Sequence, residues 1–318
     1  MKKVIVTGGA GFIGSHLAEE LAAQGYAVVI LDDLSTGKRE NIDQLLKNNS
    51  VEFIQASVTD MALLQTLFKG SEYVFHQAAL ARVPRSIEDP ITANEINVRG
   101  TLNILMAAKE NKVRKVIYAS SSSAYGNVNA LPQREDMLPN PLSPYALTKL
   151  AGEYYCTIFR QIYGLSTVSL RYFNVYGPRQ DPFSQYATVI PAFIGRMAQN
   201  QQPIIFGDGE QSRDFTFIQD VISANILAAL NDAEGTYNIG SGSNITINRL
   251  AKTIGDLMQK DLEPIYHEPR LGDPRHTLAD ISSARGFGYI PRWKLEDGLK
   301  ETFPFYTGAI THPRKHVS

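Results

Sequence analysis

Tyr145 and Lys149 stand four residues apart in SPYALTKLAGEYYCTIF. On a helix that spacing puts a phenol and an ammonium on one face, one turn apart, where both can act on one reacting group. A free phenol titrates near pH ~10, and a neighbouring positive charge favours its ionised form, which predicts a base able to take a hydroxyl proton. The chemistry this suggests is redox at an alcohol carbon. Taken alone, the pair also reads as a half-buried tyrosine beside a lysine whose stem covers apolar surface. Its companions decide between the two.

The first companion is a glycine-rich turn, KVIVTGGAGFIG, in which Gly8, Gly11 and Gly14 follow a strand-like run and open an amphipathic segment from Ser15 to Ala23; Gly9 adds an overlapping register. One glycine permits a tight turn, another lets a pyrophosphate approach the backbone, and the last lets helix and strand pack closely, with the helix N-terminus facing the phosphate. Asp32 ends the second strand, 18 residues beyond Gly14, where a carboxylate would hydrogen-bond the ribose hydroxyls of adenosine. This favours NAD over NADP, because a 2'-phosphate would meet like charge from Asp32 and Asp33, although Lys38 and Arg39 pull the other way. Asp60 reads either as a partner for the adenine amine or as the N-cap of a helix over 61–69. Ser120 to Ser123 close the strand KVIYASSSSAYG at the carboxyl edge of the sheet, where open α/β folds bind ligands, or else they form a simple turn.

These residues need a scaffold. β-rich runs at Lys3 to Thr7, Ala27 to Leu31, Val51 to Gln55, Tyr73 to Ala78, Lys115 to Ser121 and Thr167 to Tyr172 alternate with helical stretches. That rhythm predicts an α/β fold with a doubly wound parallel sheet of Rossmann type, its strands apolar on both faces. In 145–163, Leu147, Leu150, Tyr154, Ile158 and Ile162 trace one apolar stripe at helical spacing. After about residue 174, Pro, Gly and Asp punctuate shorter elements, which reads as a loop-rich substrate lobe. FTFIQDVISANILAAL and TYNIGSG look like a helix and strand returning to the first layer. The expected division is therefore a cofactor domain over 1–173 completed by segments near 214–240, a smaller lobe over 174–213 and 241–310, and a loose basic tail over 311–318.

The 318 residues exceed one usual compact core. With 31 basic and 32 acidic residues the formal charge is −1, which favours neither nucleic acid nor an anionic membrane as partner. The single cysteine, Cys156, fits a reducing compartment and reads as a small core residue, so a cytoplasmic location is expected. No apolar run approaches the ~18 residues of a membrane span. The six histidines show no metal-ligand spacing, and His76 is expected to satisfy local hydrogen bonds.

TGGAGFIG, DDLSTG, the SSSSAYG strand end, YALTK and RYFNVYGPRQDP resemble the extended short-chain dehydrogenase/reductase superfamily over nearly the whole chain. Within it, VPRSIEDP, NPLSPYALTK, RQDP and GDGEQSRDF are most similar to the UDP-hexose 4-epimerases, particularly those handling N-acetylated UDP-hexosamines. The resemblance implies Tyr145 as the base, Lys149 holding the nicotinamide ribose, and Ser121, four before Tyr125, sharing the 4-hydroxyl of the substrate. It implies an NAD site from Gly8, Gly11, Phe12, Ile13, Gly14, Asp32, Ser35, Thr36, Gly37, Asp60, Ala78, Ala79, Asn97, Tyr145, Lys149 and Tyr172. For the UDP-sugar it implies Ser122, Asn174, Val189, Phe206, Arg213, Arg275 and Thr277. An arginine fork suits phosphate oxygens; without the resemblance either arginine reads as a surface ion-pair partner, with Glu210, Asp214 and Asp273 close in sequence.

The implied reaction removes the 4-hydroxyl proton at Tyr145 while C4 gives hydride to NAD, turns the 4-keto sugar over, and returns hydride to its other face. Related 4,6-dehydratases carry an Asp-Glu pair just after the catalytic hydroxyl residue, and UDP-glucuronate decarboxylases usually carry Glu there. Ser122 and Ser123 stand in those places, and serine is far too weak an acid for that work. Thr277 stands where relatives admitting only smaller sugars often have tyrosine, so it either leaves room for an N-acetyl group or simply packs a loop. The helices 91–111 and 145–163 resemble the pair that forms a four-helix bundle in family homodimers. UDP-glucuronate 4-epimerisation, net NAD-dependent dehydrogenation and a non-catalytic NAD sensor remain as alternatives.

Overall fold

The computed structural model describes residues 1–128, 130–180, 188–269 and 274–310. The expected tail at 311–318 lies outside them, as do Asp181 and Pro182 of RQDP and Asp273.

Seven strands form one parallel sheet: β1 (Lys3–Thr7), β2 (Ala27–Asp32), β3 (Val51–Gln55), β4 (Ser71–His76), β5 (Lys115–Ser121), β6 (Thr167–Tyr172) and β7 (Gly235–Ile239). Their spatial order is β7-β6-β5-β4-β1-β2-β3. The chain builds outward from β1 through β2 to β3, then crosses back to place β4 on the other side of β1. The carboxyl ends of β1 and β4 thus flank the point where the winding reverses, the usual ligand crevice of such sheets. β4 starts and stops two residues earlier than its apolar run suggests. Past His76 the chain turns in toward β1, with Gln77 N–H donating to Thr7 O at 3.1 Å and Ala78 N–H to Thr7 Oγ1 at 3.3 Å.

Helices α1 (Phe12–Ala23), α2 (Met61–Leu67), α3 (Val83–Glu88), α4 (Pro90–Asn94), α5 (Gly100–Glu110) and α6 (Pro144–Tyr163), with α8 (Ile218–Leu230), cover both faces, whereas α7 (Val189–Ala198) packs against the helices Ile247–Met258 and Leu295–Ile310. Because strand side chains alternate, Val4, Val6, Val28 and Ile30 join the core shared with α1 and α8, while Ile5, Val29, Leu31 and Val74 join the one shared with α2, α5 and α6. A single π turn, Glu95–Arg99, joins α4 to α5, so the expected helix over 91–111 is one run with a local bulge. The smaller lobe is built from α7 and short paired strands, such as Ile204–Phe206 beside Ile265–His267. Among the described residues no helix is long and apolar enough to cross a membrane.

Helix α6 begins where its capping residues dictate: Ser143 Oγ accepts from Ala146 N at 3.1 Å and Pro144 takes the first turn. It ends at Gly164, whose φ of 68° suits glycine. The stripe read from the sequence is turned outward. Of Leu147, Leu150, Tyr154, Ile158 and Ile162 only Leu150 is buried, while Thr148, Lys149, Gly152, Glu153 and Cys156 face the sheet. A Cβ on Gly152 would collide with the Tyr118 hydroxyl, so this helix lies close enough to the strands for its polar face to reach them.

Candidate active site

Tyr145 opens α6 at the carboxyl edge of the sheet, its backbone N–H donating to Ser86 Oγ at 3.0 Å. One turn on, Thr148 Oγ1 donates to Tyr145 O at 2.8 Å and accepts from Asn97 Nδ2 at 2.9 Å. Asn97 also clasps both backbone groups of Leu80, accepting from its N–H at 2.7 Å. The loop after β4 is thereby tied to the helix that carries Tyr145. Ser121 caps the short turn Ser122–Tyr125, accepting from Ser123 N–H at 3.2 Å and Ser123 Oγ at 2.8 Å. Lys149 Nζ donates to Ala119 O at 2.7 Å and lies 5.1 Å from the Tyr118 ring centroid.

Electrostatics here differ from the simple expectation that Lys149 lowers the phenol. Burial pushes the Tyr145 hydroxyl up from its ordinary value, with a hydrogen bond to Ser121 pulling the other way. Burial draws Lys149 down to about 7, opposed chiefly by the field of Glu153. Both groups are therefore disfavoured in their charged forms until something charged joins them.

The glycine turn is as cramped as its spacing predicts. A Cβ on Gly8, whose φ is +67°, would stand 2.6 Å from Ala78 N, and one on Gly14 would strike Gly8 O. Helix α1 starts at Phe12, earlier than the amphipathic pattern suggests, and its N-cap, Gly11, supplies no side chain. Its first N–H groups, with Phe12 and Ile13, stay available to an anion. Asp32 is buried at the end of β2, where Oδ2 accepts from Ala10 N–H at 2.9 Å and Oδ1 from Leu34 N–H at 2.8 Å. A Cβ on Gly37 would stand 2.6 Å from Asp32 Oδ1, while Ser35 and Thr36 lie exposed on the same loop. Arg39, which tempered the preference for NAD, is paired with Asp43 at 3.1 Å and lies over Phe53. A turn that only glycine can form, a bare helix N-terminus and a carboxylate at the end of β2 fit a dinucleotide with unmodified ribose.

Several expected cofactor residues are occupied by internal bonds. Asp60 Oδ1 accepts from Leu63 N–H at 3.0 Å and so caps α2. Tyr172 is bonded to Gln77 and Asn225 on the α8 side. Ala78 and Ala79 follow β4 directly beside the glycine turn. His76, between Thr7 Oγ1 at 2.8 Å and Thr101 Oγ1 at 3.0 Å, and buried Cys156 are internal, as expected.

In the smaller lobe, Phe206 and Arg275 line one hollow of about 570 Å³ with Gln211, Tyr266 and Asn127. Arg275 makes an ion pair, and makes it with Asp208: Nη1 and Nη2 meet the two carboxylate oxygens at 2.7 and 2.8 Å. Arg213 is buried, its Nη1 donating to Ser212 O at 2.9 Å. Asn174, at φ 25°, donates from Nδ2 to Asp214 O at 3.0 Å and to Thr277 Oγ1 at 3.1 Å, which places Thr277 beside it. Val189 begins α7, and Ser122 follows Ser121 at the strand end. A larger hollow, about 700 Å³, lies elsewhere, between Asn231, Tyr237 and Phe287, and holds none of these residues.

Sequence reading missed Ser86, Thr148, Glu153, Arg171 and Asp208. Only Glu153 carried a signal, four residues beyond Lys149.

The family model for the NAD dependent epimerase/dehydratase family matches residues 4–240. The chain is 44% identical over 299 residues to a putative UDP-glucose 4-epimerase of Methanocaldococcus jannaschii, covering 93% of this chain and 96% of the relative. It is similar to the structure of a UDP-N-acetylglucosamine 4-epimerase from Methanobrevibacter ruminantium M1, in complex with UDP-N-acetylmuramic acid, with a TM-score of 0.94, 42% identity, and 96% and 98% of the two chains covered. A UDP-glucuronic acid 4-epimerase from Bacillus cereus, solved with UDP-glucuronic acid and NAD, matches with a TM-score of 0.90 at 34% identity over 96% and 99% of the chains. With the glycine cradle and the Ser121, Tyr145 and Lys149 group built as described, the chain belongs to the NAD-dependent epimerase/dehydratase family.

Proposed function

We propose that this protein is an NAD-dependent UDP-sugar 4-epimerase acting on UDP-N-acetylglucosamine and UDP-N-acetylgalactosamine and also on UDP-glucose and UDP-galactose. The observation that carries this reading is the meeting of Tyr145, Ser121 and Lys149 at the sheet edge, with serine rather than carboxylates at 122 and 123.

In this reading residues 1–173 and 214–240 hold NAD, and 174–213 with 241–310 hold the UDP-sugar. Gly8, Gly11 and Gly14 admit the pyrophosphate of NAD and Asp32 its adenosine ribose. When bound, NAD accepts a hydride from C4 and gives it back. Ser121 orients the 4-hydroxyl, and Tyr145 takes its proton and later returns it. Lys149 would hold the nicotinamide ribose, and its charge favours the phenolate that burial otherwise opposes. Asn174, Arg213 and Arg275 grip the diphosphate, so the keto sugar stays tethered while it turns. Loss of hydride and its return leave no net redox change, and Ser122 and Ser123 offer no acid or base for elimination or decarboxylation.

The outward row of Leu147, Tyr154, Ile158 and Ile162, with Ile91 exposed on α4, supports a homodimer through a four-helix bundle. Sedimentation of the purified protein reads this; a monomer at micromolar concentration would overturn it.

The functional test adds UDP-GlcNAc, UDP-glucose and UDP-glucuronate separately, without extra NAD, and follows C4 configuration by proton NMR. Inversion of the first two is expected. Inversion of the third alone would reassign the substrate to the glucuronate, a requirement for added NAD would indicate a dehydrogenase, and no turnover would leave a sensor. Thr277→Tyr is expected to abolish activity on UDP-GlcNAc and keep it on UDP-glucose; equal retention of both would remove Thr277 as the N-acetyl gate.

A further inference from the structure

Beneath Lys149 lies a polar cluster that the reaction as described does not use. Glu153 and Arg171 form a two-pronged ion pair at 2.8 and 2.7 Å, and both side chains are only 4% exposed. The hydroxyl of Ser120 donates to the same carboxylate. Ser120 and Arg171 are cross-strand partners on β5 and β6, so one carboxylate from α6 joins two strands. Arg171 lies 4.6 Å from the Tyr125 ring centroid, and among the described residues its Nη1 has no hydrogen-bond partner. Tyr125 in turn donates to Asn238 on β7 at 2.7 Å.

Burying such a pair is expensive, and a well-packed apolar pair in its place is often neutral or stabilising. Its location offers a reason. Ser120 separates Ala119, whose carbonyl receives Lys149, from Ser121, which meets Tyr145. Glu153 sits one helical turn beyond Lys149 on the same buried face. We propose that Glu153, clamped by Arg171 and Ser120, is a positioning residue for the reaction, fixing the 119–121 strand end against α6 and keeping Lys149 charged. This rests on the proposed assignment of Tyr145 and Lys149.

The groups facing Lys149 support the second role. On its own helix these are Glu153 and Cys156, with Tyr145 one turn before; β5 gives Tyr118, β4 gives His76, and β6 gives Arg171 behind Glu153. His76 is held neutral by burial, drawn down to about 3, and Cys156 is pushed up to about 12. Tyr118 is raised well above its ordinary value and Tyr145 is raised too. The field of Glu153 opposes the desolvation that drives Lys149 toward its neutral form.

The test uses Glu153→Gln, which keeps the shape and removes the charge, and the double variant Glu153→Met/Arg171→Met, which replaces the whole pair. 15N NMR of Lys149 Nζ in the cofactor-free protein reads its protonation directly, and kcat against pH for UDP-glucose reads the consequence. Glu153→Gln is expected to move the Lys149 midpoint about one pH unit lower, a tenfold loss of proton affinity, with the alkaline limb of kcat following. The double variant is expected to fold at least as stably and still lose about tenfold in kcat. An unmoved midpoint in Glu153→Gln, or wild-type kcat in the double variant, would overturn the proposal. If Glu153→Gln does not fold, the double variant decides by the same two measurements. If wild-type protein inverts no sugar, the assignment fails on its own, while the NMR midpoint still judges the charge role of Glu153.

Discussion

The surroundings of Tyr145 and the hollow beside Arg275 solve different problems with the same kinds of side chain. Around Tyr145 polar side chains are committed to partners: Lys149 to Ala119 O, Thr148 to Asn97, Glu153 to Arg171. Those side chains are buried and lie on a helix and strands. At the lobe, Arg275 and Asp208 pair with 51% and 57% of their side-chain surface exposed, on loops. A buried group cannot change partners without stranding charge, whereas an exposed pair is worth little and can be exchanged. In the proposed function, geometry for proton transfer is thus built in, and nucleotide recognition is left adjustable.

The largest effect should follow damage to the fixed side of this contrast. Tyr145→Phe is expected to lower kcat by about 10²- to 10⁴-fold, the usual loss for a missing general base, with NAD content and substrate KM little changed. Epimerisation at the normal rate would remove Tyr145 from the mechanism.

Lys149 offers a pH test of how fixed the pocket is. Its proton affinity in the folded protein, near 7, lies below the ordinary value of 10.5. Between those values the unfolded chain binds the extra proton, so the penalty for burying charged Lys149 fades as pH rises and stability increases. Tyr145 has the opposite sign: its raised phenol adds stability that is lost once the unfolded tyrosine ionises, near pH ~10. From pH 7 to about 9 only the lysine acts. Tm of the cofactor-free protein should climb across that window relative to Lys149→Met, and parallel curves would mean that Lys149 is not strained.

On the adjustable side, Arg275→Ala is expected to raise KM for the UDP-sugar by about tenfold while changing kcat by less than about twofold, the pattern of lost uniform binding. An equal fall in kcat would show that Arg275 also shapes the transition state.

The same contrast explains what could be read from the sequence. The sheet was legible because its central strands are apolar on both faces, and Gly8, Gly14 and Asp32 because backbone clearance and position dictate residue type. The outward stripe on α6 misleads because periodicity reports which residues share a face, not which way that face points; here Lys149 and Glu153 face inward. Clamps such as Asn97 to Thr148 join residues 51 apart, and Arg171 to Glu153 spans two elements, so local spacing says nothing of them. Asp208 went unread because its meaning depends on Arg275, 67 residues away.

Asp208→Asn is the mildest probe of the exchange. If Asp208 only holds Arg275 in waiting, a phosphate must displace its carboxylate, and removing that competitor should lower KM for the UDP-sugar by about two- to fivefold, in line with the small worth of exposed pairs. The gain should vanish when Arg275→Ala is combined with it, since the competition then has no object, and the four KM values form a double-mutant cycle. A higher KM for Asp208→Asn would mean that the carboxylate itself binds substrate. A gain that survives without Arg275 would mean that Asp208 repels the diphosphate through space, and raising the salt concentration should then erase the difference between Asp208 and Asn on the Arg275→Ala background.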